Sequence, residues 1–302
     1  MSSAFDSKPE PTQAAGPRTV TSSDPTIGLA LGGGSARGLA HVLMLEAFDE
    51  LGIKPVAIAG TSMGAMMGGL YATGMSAVDI RAFVEDLLAK RTEIFLRLAK
   101  STDGLRNLWT FRAPSVVDGV TLFEVLLPPA LRCDFASLKI PFSAVAVDYY
   151  AMSQVIIEQG PVIPAIAASC ALPSILRPVV IGGRVLVDGG FRNPCPWDVV
   201  APKADYTVAV DVSGITSRGD DSVAPNPIEA WIGTTQILFH TISDTKMAVN
   251  PPSLMIRPAV GTYGTMDFPR FREIFAASEP AKDELKRGLE RLMLTAPSVA
   301  RT

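Results

Sequence analysis

Short apolar runs bounded by turn residues recur along the chain, at Ile27 to Leu31, Val56 to Ala59, Phe142 to Asp148, Gln154 to Glu158, Arg184 to Val187, Tyr206 to Val212 and Ser253 to Ile256. Each has the length and residue content of a β-strand. Several are apolar at consecutive rather than alternate positions, as expected where helices cover both faces of a sheet. Helical spacing fills the gaps. Residues 36–51 set Leu39, Val42, Leu43, Leu45, Ala47, Phe48 and Leu51 near one face, and Gly52 stands where a C-terminal cap belongs. Helices are also predicted over 63–73, 76–90, 121–131 and 227–247, with a last helical region from Arg270 to Met293 that Pro280 interrupts. This order of elements predicts one α/β domain, a sandwich whose mainly parallel central sheet is flanked by helices. No internal repeat is present.

Composition adds limits. A chain of 302 residues, 48% apolar and 19% charged, can bury a large core and does not have the profile of a disordered protein. The folded domain is placed at 26–295. Residues 1–25, rich in Ser, Pro, Thr and Ala and without the basic start and apolar run of a secretory signal, are expected to form a disordered tail, and 296–302 a short C-terminal one. Thirty acidic against 27 basic side chains leave a net charge of −3, so no global field favours nucleic acid. Cys133, Cys170 and Cys195 have neither disulfide-framework nor metal-ligand spacing. They fit a reducing, cytoplasmic setting, and neither a metal nor a cofactor is expected. The uncharged stretch between Lys54 and Asp79 has the length of a membrane span. Its glycines and its Ala and Met content instead predict a buried strand, a tight turn and a small-residue helix. Gly160 to Leu176, also uncharged, is broken up by Pro161, Pro164 and Pro173.

Two motifs carry candidate chemistry. Gly32-Gly33-Gly34-Ser35-Ala36-Arg37-Gly38 lies between the first strand and the first helix. Consecutive glycines let backbone N–H groups converge at a helix start, which suits a nucleotide phosphate or the transient oxyanion of acyl transfer. The loop alone does not choose, and a nucleotide-binding module remains an alternative. Gly60-Thr61-Ser62-Met63-Gly64 follows the second strand and precedes a helix of small residues. Strand, sharp turn and helix are the setting in which Gly-x-Ser-x-Gly presents a nucleophilic serine. A serine hydroxyl needs a base. The chain has two histidines, His41 on the first helix and His240 in a long helical pattern. Asp188, at the end of an apolar strand and followed by Gly189 and Gly190, is the other candidate. A triad of Ser62, Asp188 and His240 in α/β-hydrolase chain order stays open at this point.

Together, Gly-Gly-Gly-x-x-Arg-Gly, Gly-Thr-Ser-Met-Gly, Ala-Ser-Cys-Ala-Leu-Pro and Asp-Gly-Gly, in that order, resemble the patatin-like phospholipases over roughly residues 26 to 280, its bacterial and neuropathy-target-esterase-like members above all. Further matching segments are Ile140-Pro141-Phe142, Ala146-Val147-Asp148, Asn193-Pro194 and Val210-Asp211-Val212-Ser213, while Cys195, Trp197 and Tyr149-Tyr150-Ala151 depart from the usual pattern. The resemblance implies a three-layer sandwich and a lipid acyl hydrolase, a phospholipase A, lysophospholipase or esterase acting through an acyl-enzyme. It implies a catalytic dyad of Ser62 and Asp188 without histidine, and an oxyanion hole from Gly32, Gly33 and Gly34. Arg37, Gly38, Gly60, Gly64, Gly189 and Gly190 would then support the site. An aspartate with an ordinary pKa near 3.9 is a feeble base, so the oxyanion hole is expected to supply much of the acceleration.

The segment from Lys90 to Arg112 mixes Lys90, Arg91, Arg97, Lys100, Arg106 and Arg112 with Phe95, Leu96, Trp109, Phe111 and other bulky apolar groups. This pattern suits a lid or interfacial element within 91–120 that meets anionic lipid. The implied partner is a phospholipid or other lipid ester, with peripheral membrane contact as an option. The oligomeric state, a homodimer included, is left open. So is a lipid-binding protein that keeps the fold without turnover.

Overall fold

The computed structural model describes residues 24–90, 117–214 and 227–294. The two tails and most of the anticipated lid, residues 91–116, lie outside the described residues. Among the described residues, eight strands form one sheet: β1 (Ile27–Leu31), β2 (Ala57–Thr61), β3 (Phe142–Asp148), β4 (Ser153–Ile157), β5 (Val179–Ile181), β6 (Arg184–Asp188), β7 (Tyr206–Val210) and β8 (Leu254–Ile256). Their order is β5-β6-β3-β2-β1-β7-β8, with β4 also paired to β3. Strands β3, β2, β1, β7 and β8 run parallel, whereas β4, β5 and β6 join by antiparallel pairing. The sheet is thus parallel at its centre and mixed on one side.

Helices α1 (His41–Glu50), α2 (Met63–Ala72), α3 (Ala77–Ala89), α4 (Gly119–Leu126), α5 (Val162–Ser169), α6 (Trp197–Val200), α7 (Pro227–Val249) and α8 (Phe271–Leu294) surround it. Consecutive apolar residues in the strands reflect cover on both faces. Leu29 and Leu31 of β1 enter the larger core, and Ala30 between them enters a smaller one built around Trp197, Val199 and Val200. The Trp197 ring is fully buried there and donates its Nε1–H to the Asn250 carbonyl at 2.8 Å.

Several boundaries differ from the sequence pattern for identifiable reasons. The helix anticipated over 121–131 stops at Leu126, because Leu127 turns extended before Pro128 and Pro129, and only a 3-10 turn follows. Helix α5 was not anticipated. Pro161 sits at its N-cap and Pro164 in its first turn, where a missing N–H costs nothing. Pro280 does not interrupt the last helix, which runs unbroken from Phe271 to Leu294. A proline inside a helix costs about 3 kcal/mol. Burial of Phe271, Ile274, Phe275, Ala281, Leu285 and Leu289, on a face that packs against α1, outweighs it.

Candidate active site

The turn after β2 is where the candidate nucleophile stands. Ser62 adopts φ 54° and ψ −121°, a left-handed conformation that costs a non-glycine residue about 1–3 kcal/mol and persists only where neighbours over-determine it. Its carbonyl accepts from the N–H groups of Ala65 and Met66, starting α2. Its N–H donates to Ser169 Oγ at 2.9 Å, and that hydroxyl donates to the Val145 carbonyl of β3 at 2.6 Å. Thr61 Oγ1, one residue earlier, donates to the Asn193 carbonyl at 2.8 Å. The flanking glycines are sterically required. A Cβ on Gly64 would collide with the Leu31 carbonyl of β1, and one on Gly60 with the backbone of Gly64 and Ala65.

Asp188 is brought to the same place by strand register. Thr61 pairs with Val145 and Asp188 with the next residue, Ala146, so the ends of β2 and β6 meet on consecutive positions of β3. Gly189 permits this approach, since its Cβ would strike the Val145 carbonyl and lie 3.1 Å from Thr61 Cγ2. Gly190 in turn leaves room for the Phe239 ring. The Asp188 N–H donates to the Ala171 carbonyl at 3.0 Å, and its Oδ1 accepts from the Gly190 N–H at 2.8 Å. Only 2% of Asp188 is exposed. Burial pushes its carboxyl up from 3.8 to about 6, against the opposing pull of the Gly190 N–H and the adjacent Ser62 hydroxyl. Cys170 lies between the two residues that bind Ser62 and Asp188. Burial beside Asp188 keeps its thiol protonated.

The glycine loop packs directly on this pair, with the Gly33 Cα hydrogen facing Ser62 Cβ so closely that a Cβ would stand 3.2 Å away. The expectation that Gly32, Gly33 and Gly34 all offer free N–H groups needs correction. Gly32 donates to the Val210 carbonyl at 2.9 Å and Gly33 to the Pro194 carbonyl at 2.8 Å, because the loop is tied to the ends of β7 and of the Asn193-Pro194 segment. Among the described residues, the N–H groups of Gly34 and Ser35 have no such partner. Ser35 itself is left-handed, at φ 49°.

Arg37, 3% exposed, anchors the loop by donating from Nε to the Tyr263 carbonyl at 2.7 Å and from Nη1 to the Ser213 carbonyl at 2.6 Å. Gly38 makes room for Met63, the residue after Ser62. Neither histidine joins the pair. His41 is fully buried, and its Nε2–H donates to the Gly32 carbonyl at 2.7 Å. Desolvation drives its pKa down to about 4, so the ring is neutral at pH 7. His240 Nε2 lies 3.2 Å from Asp244 on its own helix, and Asp244 is further paired with Arg257.

Ser169 lies in the Ala-Ser-Cys-Ala-Leu-Pro segment, whose sequence indicates no role for it. Lys246 gave no signal at all, although its Nζ donates to Asn193 Oδ1 at 2.7 Å and the Cys195 carbonyl at 2.8 Å, 3.9 Å from the centre of the Trp197 ring. That cluster fixes the Asn193 carbonyl used by Thr61. Among the described residues, no group of three His, Cys, Asp or Glu could hold a metal ion. No described helix is long and apolar enough to cross a membrane.

The family model for patatin-like phospholipases matches residues 29–201. An uncharacterized NTE family protein of Mycobacterium tuberculosis is 36% identical over 227 residues, spanning 74% of this chain and 60% of its own length. The chain therefore spans less than two thirds of that relative. Lysophospholipase NTE1 of Debaryomyces hansenii is 26% identical over 290 residues, 87% of this chain but 18% of that one. Among solved structures, VipD from Legionella pneumophila aligns at a TM-score of 0.46 and 15% identity, covering 87% of this chain and 67% of that one.

Proposed function

Since the chain belongs to the patatin-like phospholipase family, we propose that it is a lipid acyl hydrolase that cleaves carboxylic esters with Ser62 as nucleophile and Asp188 as base. The observation that carries this reading is the convergence of the strained Ser62 turn and the buried Asp188 carboxylate on consecutive positions of β3.

Asp188 takes the hydroxyl proton as Ser62 Oγ attacks the ester carbonyl. A carboxylate raised to about 6 is a stronger base than an ordinary aspartate and is still ionised at neutral pH. The developing oxyanion is held by the unpartnered N–H groups of Gly34 and Ser35, while Gly32 and Gly33 use theirs to keep the loop rigid. Losing one such donor typically costs about 2.7–4 kcal/mol of transition-state stabilisation. The alkoxide leaves with the proton from Asp188, and water then attacks the acyl-enzyme with Asp188 again as base. The acyl–Ser62 bond breaks as Asp188 returns that proton to Ser62 Oγ and the fatty acid departs. Esters suit this arrangement better than amides, because an alkoxide needs less acid assistance than an amine. Phospholipids, lysophospholipids and simple lipid esters all contain the required bond.

The test combines labelling by a fluorophosphonate probe with hydrolysis of a short-chain nitrophenyl ester and of lysophosphatidylcholine. Covalent labelling and ester cleavage are expected, both lost in Ser62→Ala. Activity retained by Ser62→Ala would overturn the assignment.

A further inference from the structure

Beyond Val145, which is paired with Thr61, strand β3 continues to Asp148 and turns back through Tyr149–Met152 into β4. At about 3.3 Å per residue, Tyr149 stands roughly 13 Å past the Thr61 level of the sheet. The β5–β6 hairpin runs beside it, with Leu186 opposite Asp148 and the Tyr149 N–H donating to the Val185 carbonyl at 2.9 Å. Its two-residue turn is Gly182-Gly183, both left-handed. Two hairpin tips therefore project side by side from the sheet end that carries Ser62 and Asp188.

These tips expose large apolar side chains. Tyr150 and Met152 are each 77% exposed, Val180 66% and Tyr149 58%, and the two tyrosine rings pack edge to face on one another. The tip's one carboxylate is occupied. Asp148 Oδ1 accepts from the N–H groups of Tyr150 and Ala151, and Oδ2 lies 4.0 Å from Arg184 Nε. Neither 149–157 nor 171–187 contains an acidic residue, while Arg177 and Arg184 are exposed on the second stretch. Amphipathic tyrosines, a methionine and arginines with no free carboxylate match the boundary of an anionic bilayer, where rings sit among head groups and cations meet phosphates.

We propose that the paired tips Tyr149–Met152 and Val180–Arg184 are the element by which this protein docks on an anionic phospholipid surface. This inference rests on the reading of the Ser62 site as a lipid ester hydrolase, whose substrate lies in such a surface. Docking there would set the sheet end that carries Ser62 against the head-group layer.

The experiment is sedimentation of the full chain with vesicles of phosphatidylcholine alone or mixed equally with phosphatidylglycerol. The parent is expected to bind the mixed vesicles preferentially, and Tyr149→Ser/Tyr150→Ser/Met152→Ser to bind them about tenfold more weakly. Arg184→Gln should lose part of the anionic preference. Nitrophenyl ester cleavage in solution should be unchanged in both variants. A single Tyr150→Trp protein should show blue-shifted emission on adding mixed vesicles. Absence of parental binding, parental binding by the triple variant, or no emission shift would overturn the proposal. So would a triple variant that changes oligomeric state while binding vesicles normally, which would make the tips a contact between copies. Failure of fluorophosphonate labelling would sink the hydrolase reading separately, leaving the sedimentation result to judge docking.

Discussion

With Asp188 as the proposed base, activity and stability depend on pH in opposite senses. Its folded-state pKa, about 6, lies above its ordinary 3.8 because burial penalises the charge. The base works only when ionised, so kcat/KM for a nitrophenyl ester should rise through about pH 6 and level off above it. Stability runs the other way. A carboxylate with a raised folded pKa favours the protonated folded form, so stability falls as pH climbs from about 4 through 6. At about 1.36 kcal/mol per pH unit the full penalty at neutral pH is roughly 3 kcal/mol. Asp188→Asn keeps an oxygen to accept the Gly190 N–H but carries no charge. Thermal melts should therefore show it more stable than the parent at pH 8, with the advantage gone near pH 4. An unchanged difference between those pH values would show that Asp188 is not held at a raised pKa. Much at this scale was readable in the sequence, because the glycines that flank Ser62 and follow Asp188 are local marks of close backbone approach. Ser169 was not, since it meets Ser62 across 107 positions of chain.

Between elements, the C-terminal end of α5 and the residues just after it join the two proposed catalytic residues. Ser169 Oγ takes the Ser62 N–H, and two residues later the Ala171 carbonyl takes the Asp188 N–H. This clasp spans the gap between β2 and β6 and holds the left-handed Ser62 in place. Ser169 thereby acts as a positioning residue. In Ser169→Ala the part-buried Ser62 N–H and the carbonyl of the fully buried Val145 both lose a partner, a cost of about 1–3 kcal/mol. If the clasp positions Ser62, kcat should fall about tenfold or more with KM little changed, and the labelling rate per folded molecule should fall with it. A melting temperature lowered with an unaltered labelling rate would reduce Ser169 to a structural role. The clasp escaped sequence reading because the prolines of Gly160 to Leu176 signalled breakage, whereas Pro161 and Pro164 sit at the start of α5, where helices accept them, and Pro173 lies beyond its end. The three-residue β5 gave too short a pattern to detect. By contrast, β1 and β3 were plain, since burial on both faces writes itself as unbroken apolar runs, while the helix expected from residue 36 begins as α-helix only at His41, after a 3-10 stretch over Ser35–Ala40.

At the scale of the whole molecule, a parallel sheet gathers β1, β2 and β7 so that their C-terminal ends converge on the glycine loop, the Ser62 turn and the Asp211–Ser213 segment that receives Arg37. The antiparallel β6 then reaches that point from the opposite direction. The α/β class was legible from the alternation of periods. The antiparallel half was not, because pairing direction leaves no mark in the pattern of a buried strand. The topology also favours the proposed base on β6 over a histidine: His41 is sealed under the glycine loop and His240 is paired on its own helix. The most direct test of this account is the second-order rate of Ser62 phosphonylation by a fluorophosphonate at pH 8, measured in the parent, Asp188→Asn and His240→Ala. The account predicts a loss of about 10²–10⁴-fold in Asp188→Asn and a nearly parental rate in His240→Ala. A parental rate in Asp188→Asn, or loss of the reaction in His240→Ala, would contradict it.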